Sequence, residues 1–209
     1  MLAPFIKTAT LTKKSKVAIF FDYSSGNGLK CHNPDKARMS TKVLMDVEEY
    51  LNTSFEPDCE YLEGEIVERN LGEIAHAGVQ GNIYRLLRGL RTTLGVFVLM
   101  EIRIQIAARR YRVADIAAWR NDNIGTGIPT APPFLVVEVL SPEDRMVRVH
   151  PKIQEYLSIG VEWVWVIDPQ EQAALCYSRE QPQGVVCTTL HTDIPAIDIP
   201  LENAFDRNA

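Results

Sequence analysis

The sequence predicts a mixed α/β (α+β) domain in the order helix, strand, strand, strand, helix, strand, preceded by a short helix and a β-hairpin. Three observations carry this. Residues 74 to 94 hold a sustained helical stripe of Ile74, Val79, Ile83, Leu86, Leu87, Leu90 and Leu94. After Gly95 the period changes to two, so that Val96, Val98, Met100, Ile102, Ile104 and Ile106 are expected on one face of a strand. Two almost wholly apolar runs, Phe134 to Leu140 and Trp163 to Ile167, read as central strands buried on both faces.

The remaining elements follow in chain order. Residues 1–38 mix a lysine cluster, a strand-like run and a Ser/Gly/Asn segment without sustained periodicity. They read as an appended N-terminal extension, or as residues upstream of a translation start at Met39 or Met45; residues 39–209 read as a single domain. From Met39, the spacing of Val43, Leu44, Val47, Tyr50 and Leu51 predicts a short amphipathic helix, with Asp46 and Glu48 at its start, where the helix dipole favours anions. Glu60 to Val67 reads as a hairpin turning at Gly64. Arg109-Arg110 marks the turn into a second strand, Tyr111 to Trp119, and a loop from Ser141 to Arg145 opens a helix ending at Gly160. The strand-like tail finishes the sheet edge.

Composition removes several function classes. With 209 residues, 46% apolar and 23% charged, the chain can bury a core without staples. Its apolar runs are far shorter than the roughly 20 residues of a membrane span. Four cysteines at 31, 59, 176 and 187 form no C-x-x-C pair, so reduced, buried thiols in a cytoplasmic protein are expected. The net charge of −5 hides an alternation: +5 over residues 1–38, −8 over 39–84, +5 over 85–152 and −7 over 153–209. A local positive patch can still attract phosphates, because screening confines the relevant field to the site.

The informative residues are acids in apolar strands. Glu138 lies within Val136 to Leu140, where a lone carboxylate must either keep its proton or sit beside a cation. Asp115 interrupts the neighbouring strand. Two carboxylates converging from adjacent strands suit Mg²⁺ or Mn²⁺, which bind hard oxygens and phosphate. Lys152, the only lysine after Lys42, is the candidate ammonium for stabilising charge that develops on a phosphoryl group. His76 is a candidate to orient water or bind phosphate, with Gln80 one turn along the same face. Arg85, Arg88 and Arg91 on the main helix, with Arg109, Arg110 and Arg112, are candidates to follow a DNA backbone.

Together EYLEGEI (Glu60 to Ile66), His76, RVAD (Arg112 to Asp115), VVEVLSPED (Val136 to Asp144), Lys152 with Tyr156 and Gly160, and VEWVWVIDP (Val161 to Pro169) resemble the Uma-two family of restriction endonucleases. The resemblance spans roughly residues 40 to 205. It places the chain in the PD-(D/E)XK nuclease superfamily and implies a restriction-endonuclease-like core. It further implies that Asp115 and Glu138 bind the metal and that Lys152 replaces the lysine expected two residues after the glutamate, where Leu140 stands. His76 and Glu60 are implied to lie at or near the site. Two positions depart from the pattern: Ala114 replaces the usual proline, and Arg148 stands where relatives commonly carry an aspartate. Arg148 falls one turn before Lys152 on the same helical face, where it would repel the ammonium or recruit a phosphate.

The expected function is that of a Mg²⁺- or Mn²⁺-dependent endodeoxyribonuclease acting on DNA, with a bacterial host and a homodimer suggested by the resemblance. Two alternatives stay open. One is a catalytically weakened nuclease fold serving as a DNA-binding or protein-interaction module. The other is a metal-dependent hydrolase of a phosphorylated small molecule.

Overall fold

The computed structural model describes residues 44–69, 73–142, 144 and 146–206. The expected N-terminal extension, and the helical start expected at Met39, lie outside them. The first helix, α1, is Val47–Leu51, shorter than its apolar spacing predicts because Asp46 caps it, accepting a hydrogen bond from the Glu48 N–H at 2.9 Å. The hairpin forms as β1 (Glu60–Leu62) and β2 (Glu65–Val67), turning through Glu63 and Gly64 at φ 54° and 104°.

The main helical stripe is split into α2 (Ile74–Gly89) and α3 (Arg91–Leu94). Val79, Ile83 and Leu87 of α2 are buried, whereas Ile74 at its first position is 94% exposed and does not join the core. The sheet then follows as β3 (Phe97–Ala107), β4 (Arg110–Trp119), β5 (Leu135–Val139), helix α4 (Met146–Ser158), and strands β6 (Trp163–Asp168), β7 (Ala173–Ser178) and β8 (Val185–Val186). All but α4 belong to one eight-stranded sheet with β1 and β2. The strands β9 (Thr189–Thr192) and β10 (Ile197–Pro200) form a separate pair instead of extending that sheet, and a 3₁₀ turn, Leu201–Ala204, follows. The parallel pair β5 and β6 is connected through α4, as the two apolar runs predict.

The sheet separates two apolar layers. Ile116, Ala118, Leu135 and Val137 pack with α2, while Ala117, Val136, Val164 and Val166 pack with Val149, Ile153 and Tyr156 of α4. The expectation that the even-numbered residues of β3 share one face is corrected here. Val98 packs on the α2 side, but Ile102, Ile104 and Ile106 pack on the α4 side. The alternation turns over at Glu101, whose φ of 49° is left-handed, and across the ladder Ala114 and Ile116 also fall on different sides.

β3 runs along one whole edge of β4, so β1 and β5 share the other. β1 pairs there with Arg110 and Tyr111, and β5 with Ile116 to Ala118. Between them, residues 112–115 face a notch in the sheet.

The cysteine expectation also changes. Cys176 and Cys187 are joined by a disulfide, and Cys59 is disulfide-bonded as well. The turn from β7 to β8 brings positions 176 and 187 to a Cα separation of 6.2 Å, within bridging range, although they lie far from C-x-x-C spacing.

Ile153 is fully buried beside Lys152 and clamps α4 to the sheet. Ile153→Ala is expected to destabilise the domain by about 2 to 5 kcal/mol in urea unfolding, through lost burial and the cavity left behind.

Candidate active site

The notch is filled by side chains. The Val113 carbonyl accepts from Lys152 Nζ at 2.9 Å, and the Val113 N–H donates to Glu60 at 3.4 Å. The rung beyond Ile116–Val137 puts Asp115 across from Glu138, and the Val139 N–H donates to Asp115 Oδ2 at 2.7 Å. Both acids therefore face one cleft of about 370 Å³, lined also by Glu60, Arg69, His76, Lys152 and Arg148.

Lys152 is brought here by α4. Pro151, just before it, has no N–H to donate to the carbonyl four residues back, which loosens the helix at that turn. The ammonium sits 2.8 Å from Glu138 Oε2 and 3.0 Å from Glu60 Oε1. Burial pulls its pKa down, but the two carboxylates more than compensate and hold it above the ordinary lysine value. Tyr156, one turn along, donates its hydroxyl to Glu138 Oε1 at 2.9 Å. Glu60 is in turn held by Arg112 at 2.7 Å, and Arg112 by Glu155 at 2.6 Å. Burial raises the Glu60 carboxyl, yet Lys152 and Arg112 win, and its pKa lies below the usual range.

The two facing acids are driven apart. For Glu138, burial outweighs the Lys152 charge, and with Asp115 adding repulsion its pKa is raised to about 7. For Asp115, burial is overcome by the His76 hydrogen bond and the charges of Arg69 and Lys152, so it titrates below its ordinary value. His76 Nε2 is 3.5 Å from Asp115 Oδ2. Burial lowers His76, but Asp115 and Glu101 raise it more, and the imidazole keeps its proton to higher pH than usual.

Gln80 bonds Glu101 at 2.5 Å and the Asp115 carbonyl at 3.1 Å. The Arg69 guanidinium bridges Asp115 and Glu101. Neither Arg69 nor Glu101 is singled out by the sequence. Glu101 reads as an ordinary solvent-face position of an alternating strand, and it stands across the β3–β4 ladder from Asp115 with a left-handed backbone.

The expected acids, Lys152, His76, Glu60 and Gln80 thus converge. Most of the expected backbone arginines do not. Arg85, Arg88 and Arg91 are exposed outside the cleft, Arg91 pairing with Asp122 at 3.3 Å. Arg109 is exposed near Glu63, and Arg110 pairs with Glu155 at 2.6 Å. The reading of Arg112 as a backbone contact is corrected: it is only 8% exposed and both its partners are carboxylates. Arg148 lines the cleft mouth, exposed and with no carboxylate partner among the described residues.

Among the described residues, no three His, Cys, Asp or Glu side chains close on one point. Mg²⁺ asks for less, commonly one or two carboxylates, with water and substrate phosphate completing the shell. Asp115 and Glu138 offer that minimum as hard oxygen donors, no cysteine among the described residues lines the cleft, and Arg69 shows that a cation is accommodated beside Asp115. The donor set fits Mg²⁺ or Mn²⁺.

The sheet is flanked by α2 and α4 and notched at the acidic pair. The crystal structure of "a putative nuclease belonging to DUF820" from Anabaena variabilis ATCC 29413 matches with a TM-score of 0.64 at 21% identity, covering 76% of this chain and 96% of that one. The Uma2 family model, described as "Putative restriction endonuclease", matches residues 47–202, and the chain belongs to that family. No curated protein matches. No helix among the described residues is long and apolar enough to cross a membrane.

Glu138 keeps its proton up to about pH 7 in the folded protein, whereas the unfolded chain releases it near its model value of 4.5. Over that window the folded state binds more protons, so wild type loses stability as pH rises. Glu138→Gln does not titrate there. In chelator, its stability relative to wild type is expected to rise by about 2 to 3 kcal/mol between pH 5 and 8, read by denaturant unfolding at each pH.

Proposed function

We propose that the chain is a Mg²⁺- or Mn²⁺-dependent endonuclease that hydrolyses DNA phosphodiester bonds in the notch of the sheet. One observation carries this reading: Asp115 and Glu138 face the same cleft, with the Lys152 ammonium bonded to Glu138. Asp115 and Glu138 would hold the ion. When bound, such an ion polarises a phosphoryl oxygen and lowers the pKa of a coordinated water.

The chain's own residues supply the rest. Lys152 presents a positive charge fixed at the cleft floor, suited to the charge that accumulates on the phosphoryl oxygens. Glu60 and Tyr156 are positioning residues, one anchoring the ammonium and the other orienting the Glu138 carboxylate. His76, protonated more readily than an ordinary histidine, is placed to hold a proton beside Asp115. Gln80 steadies Glu101 and the Asp115 backbone. Arg148, with no carboxylate partner among the described residues, is the phosphate contact at the mouth, which turns the departure at this position into a substrate contact.

A second reading has its own support. The oxygens of Asp115 and Glu138 are already engaged by Arg69, Val139, Lys152 and Tyr156, as a fold that binds without cleaving would have them. Supercoiled plasmid incubated with Mn²⁺ or Mg²⁺ separates the two. Nicking by wild type that falls at least about 100-fold in Glu138→Ala and in Lys152→Ala supports the enzyme. Retention of DNA without nicking and without metal supports the binding module.

Arg148→Ala is expected to weaken duplex binding evenly across sequences and to reduce the slope of log affinity against log salt by about 1. Fluorescence anisotropy over a salt series reads this directly. An unchanged slope removes Arg148 from the interface.

A further inference from the structure

Arg69 lies in irregular chain just past β2, with its side chain only 16% exposed. Two of its nitrogens are committed, one to Asp115 Oδ1 in the cleft and one to Glu101 Oε2 beside it. Asp115 Oδ2 is taken by the Val139 N–H and faces His76, which leaves Oδ1 as the oxygen that Arg69 covers. Glu101 stands across the β3–β4 ladder from Asp115, at a left-handed residue whose conformation costs energy, and Gln80 holds its carboxylate. Two carboxylates, from β4 and β3, thus meet one guanidinium, and Gln80 of α2 holds one of them.

We propose that Arg69 is the resident cation of the active site. In the metal-free protein its guanidinium neutralises Asp115 and Glu101, and it must leave Asp115 Oδ1 before a divalent ion can take that oxygen. This inference rests on the divalent-ion reading above. A guanidinium and a divalent ion on one carboxylate oxygen repel each other strongly in a cleft of low dielectric. Arg69 belongs to no strand rung, so its withdrawal breaks no sheet pairing. Its role is to keep two facing acids compatible when no metal is bound and to set how much free metal the site needs.

Mn²⁺ titration by calorimetry tests this without measuring cleavage. Arg69→Met is expected to bind Mn²⁺ at least tenfold tighter than wild type. Arg69→Lys, a point charge that cannot bridge both acids, is expected to fall between them. Asp115→Asn serves as the control that locates binding. Should wild type bind Mn²⁺ through Asp115 while Arg69→Met binds no tighter, the resident-cation inference fails and the metal-site reading stands. Should no variant and no wild-type protein bind Mn²⁺, both fail.

A measurement on wild type guards against a misfolded variant. Modification by a guanidine-selective dicarbonyl, mapped by peptide mass spectrometry, is expected to rise severalfold at Arg69 when Mn²⁺ is saturating. Unchanged reactivity at Arg69, with Mn²⁺ bound, overturns the proposal.

Discussion

A charged ammonium held inside the fold is the constraint on which the site depends. Taking Lys152 out of water is costly unless carboxylates meet it, and it is met by Glu138 from β5 and Glu60 from β1, with the Val113 carbonyl between. Each partner brings its own requirement. Glu60 is itself buried and needs Arg112; Arg112 needs Glu155; Glu155 is shared with Arg110 nearer the surface. A relay of alternating charges therefore runs from the cleft floor outward, stitching β1, β4, β5 and α4 together where the sheet has no backbone pairing. The notch exists because these side chains replace the missing rungs.

The same arrangement explains why two acids on neighbouring strands behave differently. Both are buried and both feel Lys152. Asp115 also has Arg69 and His76, and its pKa falls; Glu138 has lost more water than Lys152 restores, and its pKa rises toward neutrality. Opposed environments on a facing pair are characteristic of sites that handle protons and charge, because each acid is set for a different state at one pH. The left-handed Glu101 adds a second sign of the same kind, local strain kept next to the site.

Legibility in the sequence followed chemistry that was locally anomalous. Glu138 and Asp115 were readable because a carboxylate in an apolar run must have an explanation, and Lys152 because lysine is scarce in the chain. Glu60 came through the family resemblance. Arg69 and Glu101 were invisible for opposite reasons. Arg69 follows the hairpin with no periodicity to place it, and Glu101 fits an alternating strand as a solvent-face residue, so that nothing marks its place opposite Asp115. At the left-handed Glu101 the alternation turns over, so that Ile102, Ile104 and Ile106 fall on the other face of the sheet, and period-two counting cannot register a half-step of that kind. Arg112 was misread because its partners lie 52 and 43 residues away in sequence.

That last error bears on how the protein would meet DNA. The basic segment from 85 to 152 and the acidic segments around it look like separate patches along the chain, but folding pairs them. Arg103 meets Asp58, Arg112 meets Glu60 and Glu155, Arg110 meets Glu155, and Arg120 meets Glu162. Much of the positive charge counted in the sequence is thus spent on internal ion pairs and offers no phosphate-binding surface. Among the described residues, Arg148 at the mouth and the exposed Arg85 and Arg88 are left without a carboxylate. Among the described residues, the broad electrostatic footprint whose counterion release usually dominates backbone affinity is thin. On the nuclease reading proposed above, the described residues would hold a phosphate chiefly within the cleft, where the charge of a divalent ion would add to Lys152 and Arg148. On that reading substrate binding and metal binding would be coupled through the electrostatics of one cleft.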